Sequence, residues 1–390
     1  MNKKKIAFFI NTLEVGGAEK VLTLLISHFN KEYEIHLVLL NNLVHFPLPV
    51  DNIRVKIIDR YSSASKVGKA INILKIPLVA LRLKKYLQKN DIGLCFSFLN
   101  RPNFINCFLK ILRWKGRVLI GARIHTSSEY AGNSIAGKTG RFLVRALYKY
   151  ADIIIPNSFG IEKDLKENFK LKNEFSVIYN PIDIKKQQLE MMAPVDDVQF
   201  DKFTFIHVGR FEKRKNQAML LKAVKRIKEK DFQVLIIGYG SMEKEIKENI
   251  ITAGINDKII FLGYRNNNDI AKYIAKSNCQ VMTSDFEGFP NVLLEGLVCN
   301  TPIISTDCDT GPREILTENF NLNIKCSGIE KGKFGLLIPV NDNESLASAM
   351  ELMMSNKMLH DSFVNNSTNR ALDFDLPVIL NQYAAIFDNI

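Results

Sequence analysis

The sequence predicts an α/β protein built from two doubly wound, Rossmann-like units in tandem, and three observations carry that prediction. Its 390 residues, 46% of them hydrophobic, are more than one core comfortably organises. Short apolar runs alternate along the chain with longer amphipathic stretches, and the alternation restarts after about residue 200. Such alternation builds a parallel sheet with helices on both faces, because parallel neighbours need a helix-length crossover between them.

Taken in order, Ile6–Ile10 is an apolar run that reads as a buried strand, and Asn11–Gly17 is a loop. Ala18–Phe29 has apolar residues at 18, 21, 22 and 25, a helical spacing. Ile35–Leu40, Gly93–Phe98, Arg117–Ile120 and Asp152–Pro156 read as further strands. After the restart, Thr204–Val208 is a strand, Gly209–Asn216 a loop and Gln217–Lys230 a helix. Gln233–Ile237 is a strand closed by Gly238-Tyr-Gly240, and Lys258–Phe261, Gln280–Thr283 and Pro302–Ser305 continue the series. The polar stretch Asn180–Asp201 holds the seam, which divides the chain into residues 1–185 and 186–375. An amphipathic closing helix, Leu376–Ile390, is expected to pack back on the first domain.

Cysteines at 95, 107, 279, 299, 308 and 326 form no C-x-x-C pair and no cluster with zinc spacing, so they read as buried thiols of a reducing compartment. The start, Met-Asn-Lys-Lys-Lys-Ile-Ala-Phe-Phe-Ile, mimics a signal peptide, but its apolar run stops at Asn11, short of the roughly seven to fifteen residues such a region needs. No apolar run reaches the roughly 18 residues of a membrane span. The net charge of +12 is uneven: residues 1–185 hold 30 Lys and Arg against 14 Asp and Glu, residues 186–390 hold 23 against 27. Residues 51–150 alone carry 20 basic against 4 acidic side chains, which implies an anionic partner (nucleic acid, an anionic membrane or a phosphorylated acceptor) or, more simply, lysines that solubilise the surface.

Ligands of open α/β sheets bind beyond the carboxyl ends of the strands, so the loops there are the candidate sites. Glu14-Val-Gly-Gly-Ala-Glu19 opens the first helix with two glycines, which lets an anion approach backbone N–H groups or simply makes a tight turn. It lacks the G-x-G-x-x-G spacing of dinucleotide sites. Gly209-Arg-Phe-Glu-Lys-Arg-Lys-Asn216 brings Arg210 and Lys215 to one loop, a guanidinium and an ammonium suited to a diphosphate. Asp285-Phe-Glu-Gly-Phe-Pro-Asn291 runs into the helix Val292–Cys299, whose start offers donors to a phosphate. Glu295, about one turn in, is suited to vicinal hydroxyls, and Glu287 to a sugar or, more simply, to the helix dipole. Thr306-Asp-Cys-Asp-Thr-Gly-Pro-Arg-Glu314 either closes over the phosphate region or is a surface turn. There is no Walker loop, no G-x-S-x-G elbow and no metal triad.

The combination resembles the retaining GT-B glycosyltransferases of family 4. The resemblance rests on Gly16-Gly17-Ala18-Glu19, Pro156-Asn157-Ser158, Asn180-Pro181-Ile182-Asp183, Gly209-Arg210 with Lys215-Asn216, Glu287-Gly-Phe-Pro-Asn-Val-Leu-Leu-Glu295 and Phe334-Gly-Leu-Leu-Ile338. It implies two Rossmann-like domains facing a cleft and an E-x7-E pair at Glu287, on the donor sugar hydroxyls, and Glu295, on the ribose. Arg210 and Lys215 would neutralise the donor diphosphate. Asn216, Gly288, Phe289, Pro290, Asn291 and Val292 would line the donor, Gly263 and Tyr264 would meet its base, and Gly16 and Gly17 would approach the diphosphate or acceptor. Family members often carry a His or an acidic residue after the strand near 120; here Arg123 or His125 takes that place. A narrower likeness, through Phe98-Leu-Asn-Arg-Pro-Asn103, is to bacterial transferases that add N-acetylgalactosamine to undecaprenyl-diphosphate-linked oligosaccharides.

The function so implied is transfer, with retention, of a hexose or N-acetylhexosamine from a UDP-sugar to a polyprenyl-diphosphate-linked glycan, with no cofactor and no metal. The basic first half then fits an anionic membrane rather than nucleic acid, for it shows no nucleic-acid motif or interleaved aromatics. Lys66–Lys89 mixes apolar with basic residues, with Pro77 interrupting any helix, and Trp114 among Arg113, Lys115 and Arg117 has an interfacial composition. The expected place is the cytoplasmic face of the cell membrane. The alternatives are an epimerase of the same fold, a non-catalytic binder and an inactive scaffold.

Overall fold

The computed structural model describes residues 3–14, 16–42, 53–59 and 71–388. Residues 66–70 of the basic stretch, Val15 of the glycine turn and residues 389 and 390 of the closing helix lie outside the described residues. The chain divides into unit 1, Met1–Asn180 with Ile379–Ile390, and unit 2, Pro181–Val378, so the division falls at Asn180 and Pro181 where the sequence suggested 185 and 186.

The described strands of unit 1 are β1 Lys5–Ile10, β2 Glu34–Leu39, β3 Ile53–Ile57, β4 Leu94–Phe98, β5 Arg117–Ala122, β6 Ile153–Pro156 and β7 Glu174–Phe175. They form one sheet in the order β3-β2-β1-β4-β5-β6-β7, parallel throughout. Central strands such as Lys5–Ile10 are buried on both faces, which is why they read as continuous apolar runs. The edge strand Ile53–Ile57 carries exposed Arg54 and Lys56, charges that guard an edge and hide it from an apolar-run search. Trp114 departs from its expected interfacial place. It is 6% exposed in the unit 1 core while Arg113, Lys115 and Arg117 point to solvent, because the segment entering β5 alternates inside and outside. Pro77 does not interrupt the helix Ile76–Lys89 but stands in its first turn, where its missing N–H is harmless; the break falls at Lys75, after helical residues 71–74.

In unit 2 the described strands are β8 Phe203–Val208, β9 Phe232–Ile237, β10 Ile259–Gly263, β11 Cys279–Met282, β12 Ile303–Thr306, β13 Glu330–Lys331 and β14 Leu336–Ile338. Their order is β10-β9-β8-β11-β12-β14-β13, with only the short β13 antiparallel. The helix after β8 spans Gln217–Arg226, shorter than expected, and the polar seam contains a helix of its own, Ile184–Glu190, capped by the Asp183 carboxylate. The stretch Asp307–Leu316 is not a surface turn: apart from exposed Asp309 it is buried. Five of the six cysteines are buried and all six are free thiols.

Candidate functional site

Strand order reverses in unit 2 between β8 and β11, and the loops leaving the carboxyl ends of two such neighbours are where ligands of open α/β sheets bind. One buried imidazole ties the two strands there. His207 Nδ1 lies 3.0 Å from the Val281 carbonyl and Nε2 lies 3.3 Å from Gln217 Nε2. Burial pushes its pKa down to about 4, so the ring is neutral at pH 7, Nδ1–H donates to Val281 and Nε2 accepts from Gln217. The same Gln217 amide donates to the Arg210 carbonyl at 2.9 Å, fixing the backbone of the β8 loop where it leaves the strand.

That loop and the one after β11 meet through an alternating row of charges. Arg210 Nη1 is 3.3 Å from Glu212 Oε1, Arg214 Nε is 3.1 Å from Glu212 Oε2, and Arg214 Nη1 is 3.2 Å from Glu287 Oε2. Lys215 Nζ closes the row at 2.5 Å from Glu287 Oε1. Burial raises the Glu287 carboxyl, but Lys215 and Arg214 together outweigh it and hold the group below its ordinary value. The five groups carry three positive and two negative charges.

Backbone contacts set this geometry. A 3-10 turn at Lys213–Lys215 ends at Asn216, whose φ of 48° is left-handed and whose side chain caps the next helix by accepting from Met219 N. Asn216 Nδ2 also donates to Asp285 Oδ1 at 2.8 Å and to Asn341 Oδ1 at 2.6 Å. Asp285 N donates to the Arg214 carbonyl and Thr283 Oγ1 to the Lys215 carbonyl, so the β11 loop is stitched to the β8 loop residue by residue. From a third side Thr310 Oγ1 donates to the Glu287 carbonyl. Gly311, at φ 91°, lets its chain pass the Gly288–Pro290 turn; a Cβ there would stand 2.6 Å from Pro290 Cδ and 2.9 Å from the Gly288 carbonyl. A buried arginine holds this third loop, with Arg313 bridging Asp307 at 2.6 Å and Glu330 at 2.7 Å.

The helix Asn291–Val298 starts directly after this turn. Glu295 is half-buried on it, and its carbonyl accepts from Gln187 Nε2 at 2.9 Å. Val292 and Asn291 are half-buried at the helix start, while the Phe289 ring is buried against Phe374, which leaves its backbone as the part a ligand could meet. Beyond β10, Gly263 adopts φ 65° and Tyr264 is 52% exposed, edge-on to Tyr239 at 5.3 Å. The Arg210 guanidinium lies 5.9 Å from the Tyr239 ring, so the aromatic pair continues the charged row.

The remaining predicted residues stand in unit 1. Gly16 and Gly17 open the helix Gly17–Phe29, and a Cβ on Gly16 would meet Glu19 Oε2 at 2.2 Å. His125, just past β5, places Nδ1 2.7 Å from Ser128 Oγ and Nε2 3.6 Å from Asp164 Oδ1. Arg123 points elsewhere: it donates to Tyr383 Oη at 2.8 Å and to Asn180 Oδ1 at 3.4 Å and stacks on Phe98. Among the described residues, no three His, Cys, Asp or Glu side chains gather as a cation site requires.

Sequence reasoning missed Arg214, Tyr239, His207 and Thr310. Arg214 stood in the visible run Lys213-Arg214-Lys215, and Tyr239 in Gly238-Tyr-Gly240, but neither pattern shows direction.

Residues 15–186 match the model described as Glycosyltransferase Family 4, and residues 196–370 that described as Glycosyl transferases group 1. The chain is 32% identical over 375 residues to the N-acetylgalactosamine-N,N'-diacetylbacillosaminyl-diphospho-undecaprenol 4-alpha-N-acetylgalactosaminyltransferase of Campylobacter jejuni, covering 95% of this chain and 96% of that one. Among solved structures it is similar to sucrose-phosphate synthase from Thermosynechococcus elongatus, with a TM-score of 0.81, 17% identity and 99% of both chains covered. It is also similar to Anabaena HepE in complex with UDP and glucose, with a TM-score of 0.76, 17% identity and 99% and 100% coverage.

Proposed function

The chain belongs to the family 4 glycosyltransferases of the GT-B fold, and from that premise we propose that it moves a hexose or N-acetylhexosamine from a UDP-sugar, with retention, to a polyprenyl-diphosphate-linked glycan. The observation that carries the donor reading is the charged row at the unit 2 switch point, where Arg214 and Lys215 hold a buried Glu287 and Arg210 ends the row beyond Glu212. A glycosyl phosphate bond breaks with charge building on the leaving diphosphate, and cations already fixed in place stabilise it without reorganisation. Arg210 and Lys215 take that role and Glu287 holds the sugar hydroxyls. Glu295 accepts from the ribose, and the backbone of Gly288, Pro290 and Asn291 meets the phosphate at the helix start. Tyr264 and Tyr239 offer faces to the base.

Retention follows from attack on the face the diphosphate leaves, through a short-lived oxocarbenium-like ion pair in which the departing oxygen takes the acceptor proton. Positioning and charge do the work, so no metal is assigned a step. Unit 1 supplies the acceptor side, with Gly16, Gly17 and His125 as its candidates. The lipid-linked acceptor is favoured by the Campylobacter relative, an N-acetylgalactosaminyltransferase named for its diphospho-undecaprenol-linked acceptor. An anionic membrane surface on the cytoplasmic side suits such an acceptor. On the segment 71–89 Leu74, Leu78 and Leu81 are exposed beside Arg82, Lys85 and Lys89. Among the described residues no helix is long and apolar enough to cross a membrane.

The test is a panel of UDP-sugars against polyprenyl-diphosphate-linked glycans, read as UDP release and product mass, with the anomeric configuration read by NMR. Release that requires acceptor, with an α-linked product from an α-configured donor, is expected. Epimerised sugar without acceptor would replace the proposal with an epimerase, and binding without turnover would replace it with a binder.

A further inference from the structure

We propose that Arg214 is a positioning residue for the transfer, keeping Glu287 ionised and in place when Lys215 turns from that carboxylate to the donor diphosphate. The inference rests on the donor reading above. Lys215 is engaged: its Nζ stands 2.5 Å from Glu287 Oε1 and its side chain is only 13% exposed. An ammonium is a compact point charge, so an arriving diphosphate competes with Glu287 for it. Glu287 is itself 6% exposed, and a buried carboxylate that loses its only cation either takes up a proton or moves toward water.

Arg214 removes that conflict. It contacts the other oxygen, Oε2, at 3.2 Å, so the carboxylate has one cation on each oxygen. Its guanidinium does not deprotonate, and a second anchor, Nε to Glu212 Oε2 at 3.1 Å, keeps it from following the ligand. Its backbone is pinned as well, with the Arg214 carbonyl accepting from Asp285 N at 2.8 Å. Glu212 in turn shares its other oxygen with Arg210. The row therefore holds an internal ion pair, Glu212–Arg214, between the two cations assigned to the diphosphate. Of the three consecutive bases, the turn at Lys213–Lys215 leaves Lys213 exposed and directs Arg214 and Lys215 to the same carboxylate.

The titratable groups around Glu287 set what a pH profile reads. Lys215 and Arg214 face it from the β8 loop, with Glu212 behind Arg214. Asp285, on its own loop, is held by Asn216. Cys308 comes from the loop after β12, its thiol pushed up to about 12 by burial and therefore neutral. Removing Arg214 takes away one of the two charges that hold the Glu287 carboxyl low, so the carboxyl moves up.

The experiment measures UDP affinity, kcat and KM for the UDP-sugar, and the pH dependence of kcat/KM in the full chain carrying Arg214→Gln or Arg214→Lys. Arg214→Gln is expected to lower kcat by about tenfold or more and to move the acid limb of kcat/KM up by about one pH unit. Arg214→Lys keeps the cation and is expected to leave the limb where the parent has it; this variant also carries the test if the glutamine chain does not fold. An unmoved limb and kcat within about twofold of the parent in Arg214→Gln would overturn the proposal, as would a limb displaced in Arg214→Lys. Lys215→Gln separates the two readings: if it leaves UDP binding intact, the donor assignment itself fails. If it abolishes binding while Arg214→Gln behaves as the parent, only the role of Arg214 falls.

Discussion

The two units share the order of their first five strands and differ in what they place where that order reverses. In unit 2 the loops leaving β8 and β11 hold five charged side chains in alternation. In unit 1 the corresponding neighbours are β1 and β4; β4 leads to the helix Asn100–Ile111, whose start carries one buried ion pair, Arg101 with Asp59 at 2.8 Å, beside a network of neutral polar groups. Ser97 Oγ donates to Asn103 Oδ1 at 2.8 Å, Asn103 Nδ2 donates to the Gly121 carbonyl at 3.0 Å and to Tyr148 Oη at 3.2 Å, and Tyr148 donates to Asn100 at 3.0 Å. This network holds a turn in which Leu99 has φ 72°, a left-handed conformation that costs a branched side chain about 1–3 kcal/mol. One scaffold thus serves two purposes: in unit 2 the switch point presents charge, and in unit 1 buried amides hold a strained backbone in shape. Chemistry is set by loops and not by the sheet that carries them.

That contrast can be broken in either half. Arg210→Ala or Glu287→Ala should lower turnover on a UDP-sugar by about 10²-fold or more, with an unchanged circular dichroism spectrum. Near-normal turnover would deny that the unit 2 row carries the chemistry. In unit 1 the effect should change kind: Asn103→Ala leaves buried partners unsatisfied and should cost about 1–3 kcal/mol of stability in denaturant unfolding, with UDP affinity kept. A loss of UDP affinity without a loss of stability would erase the distinction. The smallest effect concerns the unit 1 surface. Leu78→Glu with Leu81→Glu should weaken binding to anionic vesicles at low salt, and higher salt should weaken the parent's binding, with each base near the surface worth about 1 kcal/mol. No vesicle binding by the parent at low salt would remove the membrane from the account.

The sheets were legible because strands buried on both faces must be largely apolar, as Ile6 to Ile10 and Val234 to Ile237 are. Ile53–Ile57 and Leu336–Ile338 were not, the first because its charges guard an edge, the second because three residues are too few to show a period. At the site, Glu287, Lys215 and Arg210 were found by standing in loops after strands. Arg214 was not separable from Lys213, since only the 3-10 turn decides which side chain looks inward. Tyr239 needed the neighbouring ends of β9 and β10 to become the partner of Tyr264. Arg123 and His125, two residues apart, diverge because Tyr383, far along the chain, claims the guanidinium.

That tyrosine belongs to the helix Leu376–Asp388, whose Tyr383 and Phe387 are buried among Phe8, Phe29 and Phe96. During synthesis these two rings leave the ribosome only after all of Pro181–Val378 has been made. The strand β1 therefore waits for a helix made after unit 2. Until then Phe8 and Phe96 face the cell with one wall missing, and unit 2 has the opportunity to fold first.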